Sequence, residues 1–329
     1  RSSAASDVYK RQRFFRTFVR QSECPTRMQK PSYIAYHVLA LVTAAVWGST
    51  FVSTKILLAN GLSPAQIMVI RFSIAYLLIL LLSHRPLFSR KLSDELLMIG
   101  AGITGGSLYF LAENSALIYT QASNVAIIIA VTPLLTAIAA HFFSRGERFS
   151  RTLATGSVIA LAGVVLVVLN GRFVLHLNPK GDMLTIAAAV LWALYSIIIV
   201  RLQRRYSSLF ITRKVFFYGI VTLLPYLFIH EASLDFGLLL RPAVIGNLLF
   251  LGLVASFACY WAWNAAIARI GSVNASNYLY LNPVVALITS AIVLDERITV
   301  TALIGTALIM LGVAVCEKLP ARTYARPRR

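Results

Sequence analysis

Two charged residues inside long apolar runs are the ones whose type and position could do chemistry. Glu113 lies in SLYFLAENSALIY, and Arg71 lies in IMVIRFSIAY. A charge held at the depth of a bilayer costs about 2.5 kcal/mol or more, so it is rare without a use. Tyr109 lies one helical turn before Glu113, on the same helix face. Glu113 is interpreted either as a carboxylate that carries a proton or binds a substrate amine, or as a structural charge, solvated or paired with Arg71.

The cationic side chains leave two interpretations open as well. Arg71 lies about two helical turns after Pro64, where it could attract an anionic substrate group, pair with Glu113, or extend along its aliphatic stem to the outer interface. Lys55 ends the first apolar run, which favours an interfacial position. The second copy of the repeat described below carries Trp263 where the first carries Glu113.

Aromatic and amide side chains are the other candidates for a binding site. Aromatic residues of apolar runs either line a cavity or form the interfacial belts of a membrane protein. Amides either bind a polar solute or join helices by hydrogen bonds. The aromatic candidates are Trp47, Trp192, Tyr195, Tyr260, Trp261, Trp263, Tyr278 and Tyr280, and the amides are Asn264, Asn277 and Asn282.

Two prolines interrupt apolar runs at matching places. Pro133 and Pro283 each remove a backbone donor and so free the carbonyl four residues earlier, at Ile129 and Leu279. At membrane depth such a carbonyl needs a neighbouring group, water or a cavity. The prolines therefore predict helices that line a central pathway, with a simple packing kink as the alternative.

The elements that position these residues are apolar runs long enough to cross a bilayer. The residues AVILMFWYC make up 58% of the chain and charged residues only 13%, about half the share of a soluble protein. The mean hydropathy of +0.75 agrees. We predict an all-α integral membrane protein with ten transmembrane helices, at 35–54, 64–82, 96–119, 124–143, 153–169, 183–200, 215–229, 244–267, 275–294 and 302–316.

Basic residues are distributed unevenly between the two sides of such a protein. The connections after the even-numbered spans, with the C-terminal tail, carry 17 Lys and Arg, whereas the other connections carry five. This asymmetry predicts that both termini are cytoplasmic. The net charge of +19 could suggest nucleic acid, but the basic residues lie between apolar runs, so no nucleic-acid partner is expected.

The sequence is duplicated. NSALIYTQASNVAIIIAVTPLLTAIAAHFF, from Asn114, matches NAAIARIGSVNASNYLYLNPVVALITSAIV, from Asn264. The match continues after a one-residue gap, and Trp47 matches Trp192. Each copy has an odd number of spans, so the second copy begins on the opposite side of the membrane, as in inverted-repeat transporters. The matched glycines, Gly156 with Gly305 and Gly163 with Gly312, are interpreted as packing positions.

Domain limits follow from the repeat. We expect a leader that is non-native or disordered at 1–27, a first five-helix repeat at 28–170, a second at 182–317 and a basic cytoplasmic tail at 318–329. RSSAASDVYKRQ reads like translated adaptor sequence, with a genuine basic tail or transit peptide as the alternative. The spacing of Cys and His predicts neither a disulfide nor a metal site, and no phosphate-binding loop is present.

The chain resembles the EamA-like transporters of the drug/metabolite transporter superfamily. The resemblance rests on WGSTF in the first span, Arg71 in the second, ALIYTQASNVA with TPLLTA, GERFS, and NASNYLYLNPVVALITSAIVLDERIT in the second copy, over about 36–316. It implies secondary transport, export of metabolites such as amino acids, and a central cavity between the repeats. It implies nothing specific for Glu113.

These observations together predict a secondary active transporter in the bacterial inner membrane that exports an amino acid or amphipathic compound by alternating access. Its partners are the lipid bilayer and a small-molecule substrate; proton coupling and a homodimer are compatible with the sequence, and no cofactor is expected. An antiporter of sugar phosphates or nucleotide sugars, and an integral-membrane enzyme, are the alternatives. The residues expected to bind substrate are Trp47, Arg71, Tyr109, Glu113, Trp192, Asn264, Asn277 and Tyr280.

Overall fold

Helices make up all the regular secondary structure of the residues that the computed structural model describes, which are 33–82, 88–89, 91–119, 125, 128–143, 150–169, 178–230, 236–294 and 299–317. The main helices are α1 (Tyr33–Ala59), α2 (Pro64–Leu82), α3 (Leu92–Tyr119), α4 (Thr132–Phe143), α5 (Arg151–Leu169), α6 (Pro179–Leu202), α7 (Ser208–His230), α8 (Pro242–Ile270), α9 (272–294) and α10 (Val300–Glu317). A single turn, Phe236–Leu239, precedes α8.

Six of these helices are long and apolar enough to cross a membrane, namely α1, α2, α3, α6, α7 and α8. Three shorter apolar helices, Thr132–Phe143, Arg151–Val167 and Val300–Cys316, accompany them. The chain is therefore a multi-pass membrane protein. The count of ten spans stays a prediction, because part of the predicted fourth span, at 124 and 126–127, lies outside the described residues.

Three helices depart from α geometry along their length. Within α3 the segment Ile103–Ser107 is a π-helix, and within α8 the segment Phe250–Ala258 is another. In the sequence repeat, Gly105 and Ala255 are matched positions, so the two π-helical segments occupy corresponding places. Within α9, a 3₁₀ segment, Tyr278–Leu281, joins two α-helical pieces and ends two residues before Pro283.

Helices α5 and α10 pack closely through the matched glycines. A Cβ added to Gly163 would lie 2.5 Å from the carbonyl oxygen of Gly305, and one added to Gly156 would lie 2.7 Å from that of Gly312. The first glycine of α5, Gly156, thus faces the second glycine of α10, and the second of α5, Gly163, faces the first of α10. The two matched helices therefore run antiparallel. The absent side chains let the backbones touch.

A cluster of charged groups joins the start of α3 to α7 and to the turn before it. The amino group of Lys214, which is completely buried, donates to the carboxylate of Glu95, and so does the hydroxyl of Tyr218. Next to it, Arg205 forms an ion pair with Asp94 at 2.7 Å. These contacts tie the first copy of the repeat to the second.

Candidate functional site

A cavity with about 530 Å³ of empty space, part of it at the open end, lies between α1, α2, α3, α4, α6, α8 and α9. Small-molecule sites in proteins are mostly lined by apolar and aromatic side chains with a few polar groups. The lining combines aromatic rings with a few polar groups, as such sites usually do. The lining residues are Trp47, Thr50, Phe51, Arg71, Tyr109, Phe110, Glu113, Ile129, Thr132, Trp192, Tyr260, Leu279 and Asn282.

Glu113 is the carboxylate of this cavity. It is 8% exposed, and its Oε1 accepts a hydrogen bond of 2.8 Å from the hydroxyl of Tyr109, one helical turn earlier. Among the described residues this is the hydrogen bond that the carboxylate makes. Its second oxygen is therefore available to a ligand.

Arg71 is the cation of the same cavity. Its Nε donates to the hydroxyl of Ser256 at 2.8 Å, and its guanidinium carbon lies 4.6 Å from the centre of the Phe110 ring. The ion pairs within the described residues are Arg205–Asp94 and Lys214–Glu95, so Arg71 and Glu113 line one cavity without pairing directly. This bond uses one of the five guanidinium donors of Arg71, so among the described residues both terminal amino groups remain available to an anionic group.

Aromatic rings form the wall between the two repeats. The rings of Trp47 and Trp192, which are matched in the repeat, meet edge to face at 5.2 Å, and Tyr260 lies 5.6 Å from Trp47. Tyr109 adds a ring 5.0 Å from Trp192. Aromatic pairs in such arrangements are stabilised by about 0.5–1.5 kcal/mol each beyond the area they bury.

The helix breaks at the two prolines reach the cavity. Ile129 and Leu279, whose carbonyls the prolines free, both line it, as do Thr132 and Asn282, which directly precede Pro133 and Pro283. The hydroxyl of Thr132 donates to the carbonyl of Ile129 and so satisfies one freed acceptor within the membrane.

The cavity lies where the two repeats meet. Most of its lining comes in matched pairs, with one member from each copy, while Glu113 and Tyr109 belong to the first copy alone. Their counterparts, Trp263 and Cys259, do not line the cavity. The carboxylate of Glu113 and the hydroxyl that donates to it thus both come from the first copy, whereas the matched pairs come from both copies. The matched pairs are Trp47 with Trp192, Phe110 with Tyr260, Ile129 with Leu279, and Thr132 with Asn282.

Two further polar groups of the lining have no hydrogen-bond partner in the described part of the chain. They are the indole Nε1 of Trp192, a donor, and the side-chain Oδ1 of Asn282, an acceptor. Buried polar groups without a partner are rare, and a site that binds a ligand is one reason for them. The cavity therefore presents both free donors and free acceptors.

The structure brings together five of the eight residues expected to bind substrate. Trp47, Arg71, Tyr109, Glu113 and Trp192 line the cavity.

Asn264, Asn277 and Tyr280 are buried outside the lining. The amide of Asn264 accepts from the hydroxyl of Tyr195 at 2.9 Å and donates to Thr212 at 2.9 Å, so it joins helices instead.

Sequence reasoning did not single out Thr50, Phe51, Phe110 or Thr132 as lining residues. The repeat could have predicted Thr132 as a lining residue, since it precedes Pro133 as Asn282 precedes Pro283. It could have predicted Phe110 as well, since Phe110 matches Tyr260. Among the described residues, no three His, Cys, Asp or Glu side chains are grouped so that they could hold a metal ion.

Comparisons with known proteins indicate the family and the fold. The model of the EamA-like transporter family matches residues 34–169 and again 179–316. An uncharacterized transporter of Archaeoglobus fulgidus is 29% identical over 84% of this chain and 96% of its own length. A solved structure, a crystal structure of a protein, superposes with a TM-score of 0.71 at 18% identity, covering 87% of this chain and 99% of that one, which shows the fold alone.

Two relatives carry functional descriptions. A protein of Streptantibioticus cattleyicolor described as a "probable terminal-alkyne amino-acid exporter" is 29% identical over 88% of this chain and 95% of its own length. A protein of Escherichia coli (strain K12) described as a "probable amino-acid metabolite efflux pump" is 26% identical over 84% and 93%.

A duplicated, all-helical membrane chain with a polar cavity between its copies has the architecture of a membrane transporter. The chain belongs to the EamA-like transporter family, which confirms the resemblance drawn from its sequence. The family and the names of the relatives indicate a transporter of a small molecule, not an enzyme.

Proposed function

We propose that this chain is a secondary active exporter of zwitterionic metabolites of the amino-acid type. The observation that carries the proposal is that Arg71 and Glu113 line one buried aromatic cavity without pairing with each other. An α-amino acid carries a carboxylate and an ammonium group, so it complements both charges at once. The amino-acid exporters among the relatives support the same substrate class.

Each part of the ligand has a chemical partner in the cavity. The planar guanidinium of Arg71 suits a carboxylate, which it can bind through two parallel hydrogen bonds. The free oxygen of Glu113 suits the ammonium group, whose charge also favours the faces of Trp47 and Trp192. The remaining aromatic surface accommodates an apolar or aromatic side chain.

The lining favours a zwitterion over the alternative substrates. Within the described residues it contains one cationic side chain, Arg71, and that cation shares the cavity with a carboxylate. A sugar phosphate or nucleotide sugar would need a greater excess of positive charge, and Glu113 would repel it.

Alternating access is the proposed mechanism. We infer ten spans in two inverted repeats, with domain limits at 28–170 and 182–317, a leader at 1–27 and a tail at 318–329. The antiparallel packing of the matched helices α5 and α10 supports this inversion. The two copies then rock around the cavity between them. Both termini would be cytoplasmic, in the inner membrane of a bacterium, and a pH gradient coupled through Glu113 would drive export.

The test is transport by the purified protein in liposomes, with three matched solutes. These are an aromatic amino acid, the same molecule without its carboxylate, and the same molecule without its ammonium group. We expect the amino acid to be transported and to be preferred over both analogues by tenfold or more, since a hydrogen-bonded charge contributes about 1.5–3 kcal/mol.

An Arg71→Met variant should lose the preference for the amino acid over the amine but keep the preference over the acid. Arg204→Met, which removes an exposed arginine outside the cavity, is the matched control. Equal transport of all three solutes by the unmodified chain, or no transport of any amino acid in a panel, would overturn the proposal.

A further inference from the structure

The two π-helical segments lie at matched positions in the repeat, and both accept hydrogen bonds from side chains that line the cavity. Ile103–Ser107 in α3 and Phe250–Ala258 in α8 each include one member of the matched pair Gly105 and Ala255. π-Helical turns are rare and often mark functional sites. Two of them at equivalent places in a duplicated chain therefore call for a physical reason.

Three lining side chains are held by hydrogen bonds to these segments. The hydroxyl of Tyr260 donates to the carbonyl of Gly105 at 2.6 Å. The indole Nε1 of Trp47 donates to the carbonyl of Ala255 at 2.9 Å. Each bond crosses from one copy of the repeat to the other.

The third bond fixes the cation. The Nε of Arg71 donates to the hydroxyl of Ser256, the residue after Ala255, at 2.8 Å. Ser256 is completely buried, and so is the hydroxyl oxygen that accepts the bond. This contact leaves both terminal amino groups of Arg71 for a ligand.

In a π-helical turn the backbone hydrogen bonds join residues five apart, as in the bond from the N–H of Leu108 to the carbonyl of Ile103. A carbonyl oxygen has two lone pairs, so those of Gly105 and Ala255 can accept a side-chain donor as well as a backbone one. At Gly105 the backbone is also approached closely, because an added Cβ would lie 2.2 Å from the ring of Tyr195. A larger residue at this position would displace Tyr195 and, with it, the neighbouring aromatic wall.

We propose that the matched π-helical segments of α3 and α8 are the positioning elements of the cavity, in which Ser256 orients Arg71 and the carbonyls of Ala255 and Gly105 orient Trp47 and Tyr260. Ser256 is a positioning residue, because it acts on the ligand through Arg71. With the Nε bonded, the guanidinium plane is fixed before the ligand arrives, so less rotamer freedom is lost on binding. The role of this arrangement in binding rests on the proposed function.

The experiment compares Ser256→Ala with Ser256→Thr in the liposome assay with the aromatic amino acid. We expect Ser256→Ala to raise KM by roughly fivefold, the effect of one hydrogen bond, and to leave the maximal rate within about twofold. Ser256→Thr retains a hydroxyl and should restore KM.

Ser196→Ala is the control, since Ser196 is equally buried but bonds to the carbonyl of Trp192 in its own helix. An unchanged KM in Ser256→Ala, or a threonine variant that resembles alanine, would overturn the proposal.

A second measurement does not depend on transport. The melting temperatures of Ser256→Ala, Arg71→Met and the double variant form a cycle in detergent without ligand. The two single effects should be clearly non-additive, because each change removes the same bond. Additive effects would show that Ser256 does not hold Arg71. If the unmodified chain transports no amino acid, the proposed function fails, while this cycle still decides whether Ser256 orients Arg71.

Discussion

At the scale of single residues, the proposed mechanism gives the carboxylate of Glu113 two roles. Its carboxylate faces the cavity and accepts a hydrogen bond from Tyr109 on the same helix. A carboxylate that binds a substrate ammonium group and, in its absence, a proton would exchange the two across the membrane. One side chain would then couple the proton gradient to export.

Glu113→Gln should abolish coupling to the proton gradient. A gradient of one pH unit can sustain up to about tenfold accumulation with one proton per substrate, because one unit corresponds to about 1.4 kcal/mol. We expect the variant to accumulate no substrate above equilibrium in inverted vesicles, whereas exchange of labelled for unlabelled amino acid continues at a reduced rate. Asp182→Asn, which changes a carboxylate outside the cavity lining, should behave like the unmodified chain. Accumulation retained in Glu113→Gln would remove Glu113 from the coupling mechanism.

Residue types and the repeat predicted much of the site. Charge within an apolar run identified Arg71 and Glu113, and the matched tryptophans identified the wall, because the energetic cost of a buried charge and the internal duplication are both visible in sequence. Asn264 could not be separated from the lining amides in this way. Its partners, Tyr195 and Thr212, lie 69 and 52 residues away in the chain, and no local pattern encodes such a contact.

At the scale of helices, the crossing of α5 and α10 depends on the absence of side chains. Gly163→Ala would place a Cβ 2.5 Å from the carbonyl oxygen of Gly305, so the helices must separate. We expect a loss of about 1–3 kcal/mol in stability, as for other overpacked positions. The measurement is thermal unfolding of the purified protein in detergent.

Gly246→Ala is the matched control for this prediction. Nothing lies within 4 Å of a Cβ added there, in the exposed first part of α8. The change should be neutral or stabilising by about 0.5–1 kcal/mol, since glycine weakens a helix relative to alanine. If both variants unfolded at the temperature of the unmodified protein, the close crossing would be wrong.

The charged cluster at the start of α3 allows a second test at this scale. Lys214→Met leaves Glu95 buried without its cation, and breaking a buried pair in this way costs about 3–5 kcal/mol. Arg205→Met removes a side chain that is 58% exposed, and Asp94 keeps the hydrogen bond from the hydroxyl of Tyr206, so the cost should be smaller, about 1 kcal/mol.

The combined change Glu95→Met and Lys214→Met should recover most of the stability, because no unpaired charge remains. Thermal unfolding of the three variants side by side gives the comparison. A Lys214→Met variant no less stable than Arg205→Met would contradict the buried pair.

The helix interruptions mark the limit of what sequence could predict at this scale. The 3₁₀ segment of α9 ends two residues before Pro283, and the proline predicts an interruption of the helix there. The π-helical segments of α3 and α8 have no such marker. Each depends on contacts from other helices, such as the ring of Tyr195 beside Gly105 and the indole of Trp47 on Ala255, so they become visible only in three dimensions.

At the scale of the whole molecule, the proposed alternating access depends on the two copies being inverted relative to each other. Helices α1 and α6 are matched, since Trp47 of one corresponds to Trp192 of the other. Lys55 lies near the end of α1, and Arg204 lies just after the end of α6, and both side chains are exposed. If the copies are inverted, these two positions lie on opposite faces of the membrane, although they occupy corresponding ends of matched helices.

Cysteine labelling decides this arrangement. In a background without Cys24, Cys259 and Cys316, we expect an impermeant maleimide added to intact cells to label Lys55→Cys but not Arg204→Cys. In inverted vesicles the pattern should reverse, because the charge asymmetry of the loops predicts a cytoplasmic position for Arg204. Labelling of Arg204→Cys alone from outside would mean that the whole chain has the opposite orientation in the membrane, while the two copies are still inverted relative to each other. Labelling of both positions from one side would mean that the two copies face the same way, and two halves with the same orientation could not rock about a shared cavity in the manner proposed.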